Sequence, residues 1–309
     1  MARIQKFDVH QEITNRIVDA LEGAGEFSLP WIRNRGGSMK RPVNIASGNP
    51  YNGVNIVSLW VAAQIQDYPS HLWGTYRQWQ ARGAQVRRGE KSSLVVFYKA
   101  LSIEETNEQT GESEQSERFM ARASFVFNAA QVEGLELASE EQPLPEAPVF
   151  DPIARAEAFA RATGARIEES GDRACYIPSA DMIRMPERRR FTGTATTSPA
   201  EGFYSTLCHE LVHWSGAPNR LDRNLVGRFN AESYAMEELV AELGAAFLCG
   251  DLGITPEPRA DHAQYIANWL KVLKDDKRAI FQAAAHAQRA VAYLHGLQPA
   301  AAIEEREAA

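Results

Sequence analysis

The feature that most restricts this chain is the run His209-Glu210-Leu211-Val212-His213. It follows Ser198-Pro199-Ala200-Glu201, a capping box with proline in the first helical turn, so a helix is predicted from there to about Trp214. At about 100° per residue, His213 falls about 40° around that helix from His209, and Glu210 about 100°. Both imidazoles therefore point the same way, one turn apart, and can share one metal. Glu210 stands beside them, placed to take a proton from a water that the metal acidifies for attack on a carbonyl. The rest of the helix carries two apolar stripes, one of Phe203, Leu207, Leu211 and Trp214, the other of Tyr204, Cys208 and Val212. Burial over so wide an arc leaves the histidines the remaining face, which is predicted to line a cleft. Cys208 points away from His209 and reads as core.

A catalytic site of this kind takes a third protein ligand. The segment after His213, WSGAPNRLDRNLVGRFNAESYAMEE, holds no histidine, and the next one is His262. Carboxylates are the remaining source. The helical pattern YAMEELVAELGAAFL offers Glu238 and Glu242, four residues apart on one face. In a glutamate-liganded zincin the first acid binds metal and the second holds a ligand histidine by its other nitrogen. Glu238 is assigned as ligand, with Glu242 as that supporting acid or as the alternative ligand. Apolar Leu239, Val240, Leu243 and Phe247 leave little of this helix for solvated charge. The strand DMIRMP reads as an edge over the cleft, where an extended peptide can add as a further strand. His286 and His295 have no partner at ligand spacing and read as structural.

The chain's 309 residues carry a net charge of −7, which hides an asymmetry. Between residues 30 and 99, ten cations (Arg33, Arg35, Lys40, Arg41, Arg77, Arg82, Arg87, Arg88, Lys91 and Lys99) face only Asp67 and Glu90. A net of +8 there attracts polyanions although the whole chain is acidic. The same stretch holds Trp31, Tyr51, Trp60, Trp73, Tyr76, Trp79, Phe97 and Tyr98. Cations interleaved with flat rings make a single-strand binding surface, the cations meeting phosphates and the rings stacking on bases. At least half of these rings are expected in the core. Arg33, Arg35, Lys40, Arg41, Trp73, Tyr76, Arg82, Arg87, Arg88 and Lys91 are the candidate DNA contacts, with VRRGEKS, a glycine turn too charged to bury, the sharpest of them. Carboxylate clusters that would hold two hard cations are missing from this basic part, which disfavours a nuclease.

Hydrophobic periodicity predicts helices over 8–22, 54–66 and 74–82, then a long β-hairpin over 94–129 with an acidic tip. Residues 138–152 hold four prolines and three glutamates and read as a linker. Beyond it come a helix at 152–163, short strands at 166–169, 174–178 and 181–186, the histidine-bearing helix, and three more helices near 232–249, 259–273 and 276–295. Strands set among helices in this order indicate an α+β fold in two domains, 1–137 and 151–309, joined by 138–150. No window is long and apolar enough for a membrane span, so no membrane partner is expected. Cys175, Cys208 and Cys249 are odd in number, far apart and never in a CxxC pair, which points to a reducing cytoplasm.

The segments PYNGVNIVSLW, WGTYRQWQARGAQVRRGEKSSLVVFYKA, DMIRMP, STLCHELVHWSGAPNRL, YAMEELVAELGAAFLC and YIANWLKVLKDDKRAIFQAAAHAQRA together resemble the ArdC antirestriction proteins of conjugative plasmids. The N-terminal part of that family also occurs in TraC-type primases. The resemblance covers nearly the whole chain apart from the hairpin tip, linker and tail. It implies an N-terminal single-stranded DNA-binding domain and a C-terminal zincin-like metallopeptidase domain. It also implies protection of incoming plasmid DNA from host restriction during conjugation. The family's motif carries over onto His209, His213 and Glu238 as ligands of one divalent metal, zinc with manganese as the alternative, and Glu210 as general base. The expected partners are single-stranded DNA and either a protein substrate bound on it or a restriction enzyme. The competing reading is a non-catalytic DNA-binding protein whose metal site is structural or inactive, and which coats DNA or blocks the restriction enzyme.

Overall fold

The computed structural model describes residues 7–23, 40–106, 113–134, 152–194, 196–223, 231–256 and 262–299. The N-terminal part runs α1 (Val9–Gly23), β1 (Val43–Asn44), α2 (Val54–Gln66), β2 (Leu72–Gly74), α3 (Tyr76–Ala81), β3 (Gln85–Val86), β4 (Ser93–Thr106), β5 (Ser113–Asn128) and β6 (Val132–Glu133). The C-terminal part runs α4 (Pro152–Ala162), β7 (Arg166–Glu169), β8 (Cys175–Ile177), β9 (Met182–Met185), α5 (Pro199–Ser215), α6 (Ala231–Leu252), α7 (His262–Asp275) and α8 (Ala279–Gly296). The mixture is α+β in two parts. The 138–150 linker, the hairpin tip at 107–112, and Trp31, Arg33 and Arg35 lie outside the described residues.

In the N-terminal part, β4 and β5 pair antiparallel from Ser93 opposite Val126 to Thr106 opposite Ser113. The sheet order is β1-β2-β5-β4, so β4 is an edge. Asn55 of α2 covers part of that edge as another strand would: its side-chain amide donates to Val96 O at 2.8 Å and its Oδ1 accepts from Val96 N–H at 2.8 Å. Thr75 caps α3, its hydroxyl oxygen accepting from Gln78 N–H while Gln78 Oε1 accepts from Thr75 N–H. This box starts the helix after β2, which explains why the helical pattern read over 74–82 begins with a short strand.

In the C-terminal part the three-stranded sheet has the order β7-β9-β8. DMIRMP therefore forms the central strand, not the edge expected of it. Its β9 residues Met182, Ile183 and Met185 are all buried, as suits a strand flanked on both sides and covered by α5. The Ser198–Glu201 capping box forms as predicted and starts α5.

One apolar core runs through both parts. Trp60 of α2 meets Phe247 of α6 edge to face, ring centroids 5.7 Å apart. Beside them Arg41 pairs with Asp251 at 2.7 Å, and Asp251 also accepts His295 Nε2 at 2.8 Å. A second link joins α1 to the start of α8, where Thr14 Oγ1 donates to Lys277 O and Lys277 pairs with Asp8. No helix among the described residues is long and apolar enough to cross a membrane.

Candidate metal centre

Helices α5 and α6 pack closely enough for their polar side chains to meet. Gly244 permits this: a Cβ there would lie 2.7 Å from Val212 Cγ2, inside contact distance. Across this seam His209 and His213 of α5 face Glu237, Glu238 and Glu242 of α6, and all three acids are buried.

His209 Nε2 and His213 Nε2 lie 3.1 Å apart. Glu238 reaches both, one oxygen 3.5 Å from His209 Nε2 and the other 3.4 Å from His213 Nε2. Two donors each about 2.0–2.1 Å from one tetrahedral cation lie roughly 3.3 Å apart, so the three spacings fit a single ion. The far nitrogens face the other two acids. His213 Nδ1 is 3.1 Å from Glu237 Oε1, and His209 Nδ1 is 3.6 Å from Glu242 Oε2. Those carboxylates favour Nδ1–H on both rings, leaving two Nε2 lone pairs turned toward one another. Two lone pairs repel, and a proton or a cation between them relieves the repulsion. The donor set, two imidazole nitrogens and one carboxylate, suits a divalent ion of the zinc type. Glu210 is buried beside them at 2% exposure, and its charge acts on His213.

The electrostatics fit the same picture. Burial alone would lower the His213 pKa, but hydrogen bonds with Glu237 and Glu238 carry it up to about 10. Burial would raise Glu238, yet the two histidines hold it well below the usual carboxylate range.

Sequence reasoning missed two members of this centre, Glu237 and Arg223. Arg223 is buried and grips Glu237 with two bonds, Nε to Oε2 at 2.9 Å and Nη2 to Oε1 at 2.7 Å. Its Nη2 also donates to Val212 O at 2.7 Å. Gly216 at the end of α5 makes room, since a Cβ there would sit 2.8 Å from Arg223 Nη2. A signal for Glu237 was present: two ligand histidines need two acceptors for their Nδ1–H groups, and Glu242 answers for only one. Arg223 had none, because the return loop that seats it carries no periodic pattern. Cys208 is buried and outside the cluster, as its angle implied.

The candidate DNA contacts divide. Trp73 is 1% exposed, packed against Tyr68, so it is a core residue and no stacking platform. Arg41 is buried in its ion pair with Asp251 and sits over the Phe247 ring, which removes it from any surface. Arg87 turns its guanidinium onto Glu90 and Ala130 O, stapling the turn it belongs to. Lys40, Tyr76, Arg82, Arg88 and Lys91 are exposed. Of the interleaved rings, Tyr51, Trp60, Trp73 and Trp79 are core, while Tyr76, Phe97 and Tyr98 are exposed.

Comparison with known proteins places these observations. Residues 7–127 match the family model of the N-terminal domain of anti-restriction factor ArdC, and residues 154–286 that of a zincin-like metallopeptidase. An uncharacterized protein of Sinorhizobium fredii, y4eC, is 45% identical over 296 residues, covering 94% of this chain and 92% of that one. The DNA primase TraC of Escherichia coli is 36% identical over 94% of this chain, but the match spans only 27% of the primase. The crystal structure of the metal-free antirestriction ArdC protein from plasmid R388 superposes with a TM-score of 0.75 at 38% identity, covering 94% of this chain and 98% of that one. The Mn(II)-bound structure of the same protein gives 0.74 at 37%.

Proposed function

The chain belongs to the ArdC antirestriction family, and from that premise we propose that it is a cytoplasmic, single-stranded DNA-binding peptidase dependent on one divalent cation, protecting incoming plasmid DNA from host restriction during conjugation. The observation that carries the reading is the convergence of His209, His213 and Glu238 beside a buried Glu210. Three protein ligands are the complement of a catalytic zinc site, whereas structural sites take four. Zinc is the cation the donor set favours, and manganese is the alternative that the Mn(II)-bound R388 protein supports.

A divalent ion there supplies Lewis acidity, polarising a substrate carbonyl and acidifying a water. The residues of the chain do the rest. Glu237 holds the His213 ring by its Nδ1–H group, and Glu242, 3.6 Å from His209 Nδ1, steadies the other ring electrostatically, so that both Nε2 atoms stay on one point. Glu210 accepts the proton of the attacking water and delivers it to the leaving amine. Arg223 fixes Glu237 and with it the His213 ring. Domain limits of 1–137 and 151–309, joined by 138–150, give a DNA-binding part and a peptidase part. The peptidase part acts on a protein bound to the same DNA or on the restriction enzyme itself.

Glu210→Gln tests this reading, because it keeps the shape and removes the base. The variant is expected to retain its cation, measured as metal content after purification. It is also expected to lose protection of transferred DNA in a restricting host. Full protection by a metal-loaded Glu210→Gln protein would instead establish a protein that acts by binding alone.

A further inference from the structure

A cleft of about 1090 Å³ opens between the β4 edge and α8, one wall from each part of the chain. That is just above the ~300–1,000 Å³ typical of small-molecule sites, which suits a short run of a polymer. Phe97 and Tyr98 of β4 line it at 49% and 51% exposure, large rings left open to solvent although a core is close by. Phe281 of α8 lines the facing wall. His10 ties the walls together, its Nε2 3.1 Å from Tyr98 Oη and its ring packed on Phe281 at 4.7 Å. The charged groups along the described lining are Arg278 and Arg289, and no carboxylate is among them; burial and the nearby Arg278 hold His10 toward its neutral form. Both arginines are exposed, and among the described residues neither is paired with an acid.

We propose that this cleft binds single-stranded DNA, with Arg278 and Arg289 on phosphates and Phe97, Tyr98 and Phe281 stacking on bases. Charge selects a polyanion, and the open rings select unpaired bases, because duplex base faces are already stacked. The inference rests on the DNA-binding part of the proposed function and adds the place. The site is shared with the C-terminal part and lies apart from Arg82, Arg87, Arg88 and Lys91, none of which lines it. Its α8 wall packs directly on α6, the helix that carries Glu238, so bound DNA is held against the peptidase part.

The test is fluorescence anisotropy of a labelled oligothymidine with the full chain over a salt series. Arg278→Glu with Arg289→Glu is expected to weaken binding about tenfold or more and to flatten the salt slope by ~1.4, at ~0.7 per phosphate contact. Phe97→Ala with Tyr98→Ala is expected to cost about tenfold or more. Arg82→Glu, Arg88→Glu and Lys91→Glu together are expected to change affinity by no more than about twofold beyond their general charge effect. If that triple variant loses binding while both cleft variants match the wild type, the cleft assignment is overturned and the DNA-binding reading stands. If the wild-type chain itself does not bind, both fall. Photocrosslinking of an iodouridine oligonucleotide to the wild-type chain needs no folded variant: adducts on Phe97, Tyr98 or Phe281 are expected, and adducts confined to other residues overturn the proposal.

Discussion

Alanine at His209, His213 or Glu238 is expected to lower cation affinity by about a thousandfold or more. Three ligands share a binding free energy on the order of 10 kcal/mol, and each carries a large part of it. Glu242→Ala and Glu237→Gln leave all three ligands and remove only support for one ring, so about ten- to a hundredfold is expected. Glu210→Gln is expected to bind within a few-fold of wild type. Titration calorimetry with zinc against a competing chelator separates these three classes. The sign of the pH dependence follows from His213. Its pKa is carried up to about 10 by the surrounding carboxylates, and only the neutral ring can ligate. Cation binding therefore releases a proton at neutral pH, and affinity rises with pH until His213 is deprotonated without the ion. Equal affinity in Glu238→Ala and Glu242→Ala would remove the distinction between ligand and support.

The second large effect is expected at Arg223. It is buried, it neutralises buried Glu237, and it satisfies Val212 O. Arg223→Met leaves the Glu237 carboxylate in the interior with only His213 to answer it. Breaking a buried pair from one side costs about 3–5 kcal/mol, because the remaining charge is uncompensated. Urea unfolding of the chelator-treated protein is expected to show a loss of that order. Replacing both members, Arg223→Met with Glu237→Leu, is expected to recover much of it, since no lone charge is left behind. A loss below about 1 kcal/mol in the single variant would mean that Glu237 reaches water or is protonated.

Why the sequence disclosed some of this and not the rest has physical causes. The histidine-bearing helix was legible because a capping box, two apolar stripes and the histidine spacing are all local and agree with one another. Glu238 and Glu242 were legible as a pair by their four-residue spacing, but which of them lies nearer the Nε2 atoms depends on how α6 rotates against α5, and Gly244 with Val212 governs that contact. Arg41 was read as a DNA contact because its sequence neighbours are basic, yet its partner Asp251 is 210 positions away in α6. Trp73 sat in a basic, aromatic stretch, but its ring lies on the buried face of β2 against Tyr68, a choice of face that composition does not disclose. The order of the small sheet was not legible either. Strand β9 pairs parallel with β7 and antiparallel with β8, and nothing in a four-residue apolar strand says which side is free. The cleft between β4 and α8 escaped for the same reason, since Phe97 and Phe281 are 184 residues apart and share no motif.

The reading rests most directly on how many protein atoms hold the cation. Crystals of the full chain grown with zinc, with data collected on either side of the zinc absorption edge, answer that question. One anomalous peak is expected, about 2.0–2.2 Å from His209 Nε2, His213 Nε2 and a Glu238 oxygen, with Glu237 and Glu242 on the Nδ1 atoms and Glu210 close to the fourth position. A peak bound by four protein ligands, or one held by Glu242 with Glu238 turned away, would contradict it.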